Sequence, residues 1–425
     1  MQPPRLQAPQ RLRATMNTLS PWKVFTAAPH RVMFFAGVVQ LILVMCWWGV
    51  ELIARYTGLV APLQTAIPAT YAHAWFMLFG VYTFLMFGFL MTTYPRWMNG
   101  PLVPERTYIR AFAVMVIGTL LFYVGLVAGA TAVIVGVVVH AFGFALGIGG
   151  LYQVYRAVGP RRDRRYETQL NLALMLGVVS ELAFAAWIAT DSSLLLHAAL
   201  RGGVWLFLVP VLVLVGHRMI PFFSSAVIPN YTLVQPGWTF PVLWTAVALH
   251  FLLETLGAIQ WLFLADAPLL FLTVHHSLHW GFRRSLQVRL LAALHIAFAG
   301  LSLGLALYLV QSLALLLTGD LILGRAPLHT VAIGFIAAMV VGMITRVSRG
   351  HSGRPLLMDR LDWTAFLFML AAAGLRIAGD VEAMATHSPV SPNLLAGIAW
   401  LVAILPWGAR YLLIYLRPRL DGKPG

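Results

Sequence analysis

Apolar segments of about 20 residues recur along the whole chain and constrain its fold more than any other feature, because each is long enough to cross a bilayer as a helix. A helix satisfies its own backbone hydrogen bonds, as a segment in lipid must. Such windows can be placed at 31–56, 72–94, 108–129, 131–156, 167–190, 193–216, 238–260, 262–283, 287–316, 326–346, 361–383 and 393–416. The sequence therefore predicts an all-α fold, a polytopic integral membrane protein with about 12 transmembrane helices.

The composition of the 425-residue chain agrees with this prediction. Hydrophobic residues make up 60% of the chain and charged residues only 10%, and the mean hydropathy is +0.82, a balance that ordinary water-soluble domains do not show. No polar stretch is long enough to form a separate soluble domain. We therefore expect one transmembrane domain, with a cytoplasmic N-terminal segment at 1–30, a helix bundle at 31–416 and a cytoplasmic tail at 417–425.

The formal net charge of +15 would suggest nucleic-acid binding in a soluble chain, but the distribution of the charge argues against it. If the N-terminus is cytoplasmic, all but four of the 29 Lys and Arg residues fall in cytoplasmic segments or at the inner ends of spans. The four exceptions are Arg55, Arg201, Arg325 and Arg376. This asymmetry follows the positive-inside rule. It predicts that both termini are cytoplasmic and that the chain's partner is the lipid bilayer, not nucleic acid.

Histidines within the spans are the first candidates for function, because a buried polar side chain in lipid is costly unless it is paired, ligated or hydrated. Counting from the inner arginine of each helix places four of them about 24–35 Å above the inner surface. These are His73, His140, His197 and His329. Four different helices are therefore predicted to present a histidine near the outer side.

A second group of histidines lies near the inner side, within about 12 Å of the boundary. It comprises His275, His276, His279 and His295. Spacings of three and four residues place His279 on a helix face with His275 or His276. His250 lies near mid-membrane, one turn from Glu254 on the same face.

Histidines on several helices at a common depth suit a haem, whose iron takes axial imidazoles from facing helices, and they also suit copper. The candidate metal ligands are His73, His329, His197 and His250, and His295, His276 and His279 are candidates for an inner cofactor site. The alternative for each is an imidazole that hydrogen-bonds neighbouring helices or anchors a span at the interface.

Four stretches of the chain resemble motifs of the NnrS family. Gly342-Met-Ile-Thr-Arg-Val-Ser-Arg-Gly-His-Ser-Gly-Arg-Pro355 resembles the family's G-M-M-T-R-V-x-L-G-H-T-G-R-P, which a histidine precedes by thirteen residues, here His329. The segment 29–35, PHRVMFF, is similar to P-F-R-P-F-F. The segment 216–223, GHRMIPFF, is similar to G-x-R-x-I-P-F-F, and the tail 416–425, LRPRLDGKPG, is similar to L-R-P-R-x-D-G-R-P-G.

The resemblance implies a haem- and copper-containing protein of the bacterial inner membrane that is linked to the nitric oxide response. His73 and His329 are the histidines that match the family best. The arginine-rich end of the signature carries Arg346 and Arg354, which we interpret as membrane anchors or as partners for an anionic group such as a haem propionate.

The chain departs from the family at the start of the second span. The family's H-x-H-E-M-L-F-G reads HAWFMLFG here, from His73 to Gly80, so Trp75 and Phe76 replace a histidine and a glutamate. The cofactor that the resemblance implies is a haem, expected here to be b-type, and copper stays possible although two of its expected ligands are replaced.

Two functions remain open from the sequence. The first is a haem protein that handles nitric oxide or another diatomic gas, or carries out associated redox chemistry. The second is a transporter or assembly factor for haem, copper or a small solute, with the histidines, Glu254, Asp266, Arg376 and Asp380 forming a polar path. No catalytic group indicates turnover of a substrate.

Overall fold

The fold is given by a computed structural model, which describes residues 20–159, 163–381 and 390–422. These parts of the chain form helices and contain no strand, which confirms the predicted all-α fold. Most of the predicted N-terminal segment, residues 161 and 162 of the basic loop after the fourth span, and the last three residues of the tail lie outside the described residues. The cytoplasmic location of the termini therefore stays a prediction.

Twelve long helices follow one another in the described residues, at the positions of the predicted spans. They are α1 Pro29–Thr57, α2 Ala69–Met98, α3 Glu105–Ala128, α4 Ala130–Ala157, α5 Arg165–Thr190, α6 Ser193–Ser225, α7 Thr239–Thr255, α8 Phe263–His279, α9 Arg289–Thr318, α10 Ala326–His351, α11 Arg360–Asp380 and α12 Pro392–Leu416.

Ten of these helices are long and apolar enough to cross a membrane, and α7 and α8 are shorter. Each of the two has 17 residues, or about 26 Å of helix. Gly257 follows α7 and Gly281 follows α8, and both have positive φ angles, of 75° and 84°, which a helix cannot continue through. A multi-pass membrane protein is confirmed, whereas the crossing of α7 and α8 stays a prediction.

The twelve helices can be divided into three successive groups of four. The second helix of each group lies at the centre of the bundle. In the most apolar window of α2, α6 and α10, 83%, 78% and 78% of the residues are buried, against at most 61% in the other long helices. The groups follow one another around these central helices, with α4 packed on α5 and α8 on α9, and α12 returns to pack on α1. The bundle is therefore closed.

Each central helix contains a π-helical segment, in which the hydrogen-bonded ring is one residue wider than in an α-helix. The segments are Phe76–Val81 in α2, Gly203–Leu208 in α6 and Thr330–Ala337 in α10. Such segments are rare and occur frequently at functional sites. His73, His197 and His329 precede them by three, six and one residues, which places the three histidines on the same side of the bundle.

Glycines allow α3 and α4 to approach one another closely. A Cβ atom on Gly118 would lie 2.3 Å from the His140 backbone nitrogen, and one on Gly136 would lie 2.5 Å from the Phe122 backbone nitrogen. Small residues at such crossings are typical of helix pairs in membranes. This approach fixes His140 inside the bundle.

Replacing Gly136 with alanine is expected to destabilise the protein by about 1–3 kcal/mol, because the new methyl group would collide with the α3 backbone. Gly149→Ala on the same helix is the matched control, since nothing lies within 4 Å of the added Cβ. Thermal unfolding in detergent measures both variants. Equal effects at the two positions would contradict the close approach.

Candidate functional site

His73 lies in an aromatic and cationic environment at the end of α2 that is predicted to face outward, opposite the arginine-rich side. Its imidazole stacks on Trp48 of α1, with ring centroids 4.3 Å apart and planes inclined by 13°. The Arg55 guanidinium lies 5.0 Å from the centroid of the same indole. The Nδ1 atom of His73 is buried and has no hydrogen-bond partner among the described residues. One ring nitrogen of His73 is therefore unsatisfied by the protein.

His329, at the outer end of α10, is oriented through one ring nitrogen. Its Nδ1 donates to the Arg325 carbonyl at 3.1 Å and lies 3.0 Å from Oδ2 of Asp380. The guanidinium of Arg376, one turn earlier on α11, pairs with the Asp380 carboxylate at 2.5 Å. With the proton on Nδ1, Nε2 has its lone pair available, which is the arrangement that orients metal-bound histidines.

These side chains form an outer cluster, defined as His73, His329, Arg55, Arg376 and Asp380. His73 lies within electrostatic range of His329, Arg376 and Arg55. Both cations are paired, Arg55 with Glu51 at 2.7 Å and Arg376 with Asp380. The structure thus brings together the two histidines that sequence analysis paired, with two of the four arginines that are exceptions to the positive-inside pattern.

His197 belongs to a different environment, on α6. The charges that act on it come from Arg201 and Glu254, not from the outer cluster. Arg201 lies 3.6 Å from the Glu254 carboxylate, which also accepts a hydrogen bond from the Trp205 indole at 3.1 Å. The three histidines at similar depth are therefore divided between two polar groups.

His250 is fully buried and has a carboxylate beside each ring nitrogen. Nδ1 lies 2.7 Å from Asp266 of α8, and Nε2 lies 3.4 Å from Glu254 one turn away on α7. The Trp205 ring packs on the imidazole with centroids 3.6 Å apart. These contacts join α6, α7 and α8, although Nε2 has no hydrogen-bond partner among the described residues, so metal binding by His250 stays a prediction.

A second buried histidine–carboxylate pair joins α4 to α5. His140 Nδ1 lies 2.7 Å from Glu181, and both side chains are fully buried. Within the described ranges, no group of three or more His, Cys, Asp or Glu side chains is arranged to hold a metal ion. A multi-ligand metal centre made by the protein alone is thus absent from this part of the chain.

The predicted inner group does not converge on one point. His276 Nε2 lies 3.0 Å from the Thr239 hydroxyl, which also lies 3.1 Å from His217 Nε2. His217 in turn contacts the Tyr166 hydroxyl at 2.6 Å through Nδ1. His276 is therefore grouped with His217, a residue of the 216–223 motif that sequence analysis did not select.

Two further members of the inner group, His295 and His279, have separate partners. His295 is buried on α9 and contacts the Ser224 hydroxyl of α6 at 3.0 Å. His279 is exposed at the end of α8, where its Nδ1 donates to the His275 carbonyl at 2.8 Å. Neither contact is directed towards His276.

Replacing His295 with alanine is expected to lower the stability of the protein by about 1 kcal/mol and to leave any bound haem or metal unchanged, because the Ser224 hydroxyl loses its partner. His279→Ala, which removes an exposed imidazole, is the control. Thermal unfolding and iron content measure the two effects. Loss of iron at normal protein levels would instead place a cofactor beside α9.

Comparison with known protein families agrees with this architecture. The model of the family described as NnrS protein matches residues 24–419, nearly the whole chain. The chain belongs to the NnrS family. A search of curated proteins gave no match. Membership in this family identifies the chain as a membrane protein linked to the nitric oxide response.

The departure from the NnrS pattern in α2 has a structural counterpart. Trp75 and Phe76 are fully buried, and both pack on Phe122 of α3, with Trp75 stacked at a centroid distance of 3.9 Å and Phe76 at 4.7 Å. Trp75 also lies against His140. An aromatic cluster therefore occupies the place of the family's second histidine and glutamate.

The NnrS signature at the inner end of α10 contacts the first helix of the chain. The His351 ring lies 4.7 Å from the His30 ring, and His30 stands where the family's opening motif has phenylalanine. Arg349 stands where the signature has leucine, and it pairs with Asp362 at 2.6 Å. The Arg346 guanidinium lies 3.6 Å from the centroid of the Phe223 ring. These contacts join helices at the side opposite the outer cluster.

Proposed function

We propose that this NnrS-family protein binds a b-type haem at the outer cluster, that His73 and His329 would hold it, and that it acts in the nitric oxide response at the bacterial inner membrane. Such a haem would supply one-electron chemistry and a site for a diatomic gas. The chain's own part would be to position the two imidazoles.

The orientation of His329 carries the proposal. The Arg325 carbonyl accepts the Nδ1 proton beside the Asp380 carboxylate, which leaves the lone pair on Nε2. His73 places a second imidazole within electrostatic range of His329. The Nδ1 atom of His73 is buried and has no hydrogen-bond partner among the described residues. A buried nitrogen without a hydrogen-bond partner costs free energy. A metal ion, or another group of a bound cofactor, would satisfy this nitrogen. The residues therefore fit the cofactor.

The outer cluster also holds two cations for the anionic propionates of a haem, each of which pairs with a carboxylate of the chain. Arg55 and Arg376 lie at the same end of the bundle as the two histidines. Arg346 and Arg354, the propionate partners suggested by sequence analysis, lie at the opposite end of α10. Arg346 is 17 residues from His329, or about 26 Å along the helix. We therefore propose Arg55 and Arg376 for this role.

Copper is not expected as a second metal. Trp75 and Phe76 have no ligating group that could replace imidazole or carboxylate, and they are fixed by stacking in a packed aromatic cluster. We propose a haem protein with little bound copper.

A visible spectrum of the purified protein, together with its iron and copper content, tests the proposal. The expected result is a Soret band, stoichiometric iron and copper far below the iron. Colourless protein after expression with added haem precursor, and without iron, would overturn it.

A second function is favoured by the polar chain through α6, α7 and α8. Arg201, Glu254, His250 and Asp266 form successive contacts between the outer side and the buried interior. Ionisable groups inside a bundle mark transport paths in other membrane proteins. A transporter or an assembly factor for haem, copper or a small solute would use this chain. Uptake of haem, copper or a small solute by vesicles that contain the protein would favour this second function if Asp266→Asn abolished that uptake.

A further inference from the structure

A basic pocket lies at the inner end of the bundle, far from the outer cluster. Its volume is about 370 Å³, and Arg349, Arg354, Asp359, Arg410 and Arg417 line it together with two aliphatic residues. Arg349 comes from the end of α10, Arg354 and Asp359 from the connection to α11, and Arg410 and Arg417 from the end of α12. Three separate parts of the chain thus direct guanidinium groups to one cavity.

The carboxylates of this region neutralise only part of the charge. Arg349 lies 2.6 Å from both Asp359 and Asp362, and Arg410 lies 2.7 Å from Asp359 and 3.3 Å from Asp362. Burial would raise the pKa of Asp359, but the hydrogen bonds from Arg410, from the Asp362 amide and from Arg349 lower it to about 2. Both carboxylates are therefore occupied by these two arginines.

Arg354 is the cation without compensation. Its Nη1 atom is buried and has no hydrogen-bond partner in the described part of the chain. Burial and the neighbouring charges of Arg349 and Arg417 lower the pKa of Arg354, although a guanidinium keeps its proton at neutral pH. No described carboxylate lies within ion-pair distance of Arg354 or Arg417. The pocket therefore has a buried donor and excess positive charge directed at one space.

We propose that this pocket binds a phosphate group. Converging guanidiniums match the oxygens of a phosphate through charge-assisted, often bidentate hydrogen bonds. One wall of the pocket is Leu413, half exposed on the last turns of the apolar helix α12. A phosphate that enters beside an apolar wall at the end of a span has the position of a phospholipid headgroup, and basic pockets on the cytoplasmic side commonly take such groups. The same guanidiniums would accept a free phosphate.

Native mass spectrometry of the full chain tests the pocket and distinguishes the two sources. The protein is placed in nanodiscs of phosphatidylcholine alone or of equimolar phosphatidylglycerol and phosphatidylcholine, and retained phosphatidylglycerol is counted. A separate arm titrates the detergent-solubilised protein with inorganic phosphate. Arg354→Gln and Arg417→Gln are compared with Arg360→Gln, which removes an exposed arginine on the same side but outside the pocket.

We expect the first two variants to bind the lipid about tenfold more weakly, and Arg360→Gln to behave like the unaltered protein. Loss of inorganic phosphate binding in the same two variants would support the pocket with a free ion as its ligand. Equal retention of both ligands by all three variants and the unaltered chain would overturn the proposal. If Arg354→Gln fails to fold, Arg417→Gln, at an exposed position, decides the result. The readout does not depend on haem, so this test and that of the proposed function can fail separately.

Discussion

Replacing His329 with alanine is expected to remove most of the bound haem, and His73→Ala is expected to do so to a similar extent. Each change removes one of the two imidazoles that would hold the haem, which should cost more than the roughly 10–100-fold in affinity that the loss of an orienting partner costs. Asp380→Asn, which keeps the shape of the side chain that orients His329, is expected to give a smaller loss within that range. The Soret absorbance per chain and the iron content measure all three effects.

The double variant separates a shared iron from two independent sites. If both imidazoles bind one iron, His73→Ala with His329→Ala should cost little more than either single change, because the two act as a unit. His279→Ala is the matched control, since that imidazole is exposed and bonded to its own helix. His197→Ala tests the competing pair, and we expect haem to remain because His197 faces Arg201 and Glu254. Haem retained after both single changes would exclude the outer cluster and leave the inner histidines.

Replacing Asp362 with asparagine is expected to destabilise the folded protein by about 3 kcal/mol, because it leaves a buried guanidinium with less compensation. Asp362 is fully buried and accepts hydrogen bonds from Arg349, Arg410 and Tyr411. Asp359 still faces Arg349 in the variant, so the cost should lie at the low end of the range for broken buried pairs. Thermal or denaturant unfolding in detergent measures it.

Asp163→Asn provides the comparison for Asp362→Asn. Asp163 also pairs with an arginine, Arg165 at 2.9 Å, but the two side chains are 55% and 65% exposed. Exposed pairs contribute less than about 1 kcal/mol, so this variant should be nearly as stable as the unaltered chain. An equally small loss of stability for Asp362→Asn would show that the ion pairs of Arg349 with Asp359 and Asp362 do not join α10 to α11.

The arginines that depart from the positive-inside pattern show what charge placement in the sequence can and cannot indicate. The arginines on the predicted cytoplasmic side are explained by the predicted topology, so the four exceptions need another cause. Three of them pair with carboxylates in the structure: Arg55 with Glu51, Arg201 with Glu254 and Arg376 with Asp380. Each pair lies beside a candidate histidine, so the exceptions were a signal that sequence analysis used only for Arg376.

Sequence analysis found the helices because lipid leaves the backbone few alternatives. A segment that crosses hydrocarbon must be helical, and its length follows from the thickness of the bilayer. The depth of each histidine followed from the rise per residue, since residues along a helix are evenly spaced. That is why His73 and His329 were predicted at one side, and the structure places both there, near Arg376.

Which side chains meet was decided only by the tertiary structure. Depth along a helix does not specify its rotation about its own axis or its neighbours in the bundle, and both depend on packing between distant segments. His276 and His295 lie at similar predicted depth, yet one contacts Thr239 of α7 and the other Ser224 of α6. His329 is oriented by Asp380, 51 residues later in the chain. The sequence by itself determined the helices and the height of their histidines, whereas the packing of α1, α2, α10 and α11 determined which of those histidines share a site.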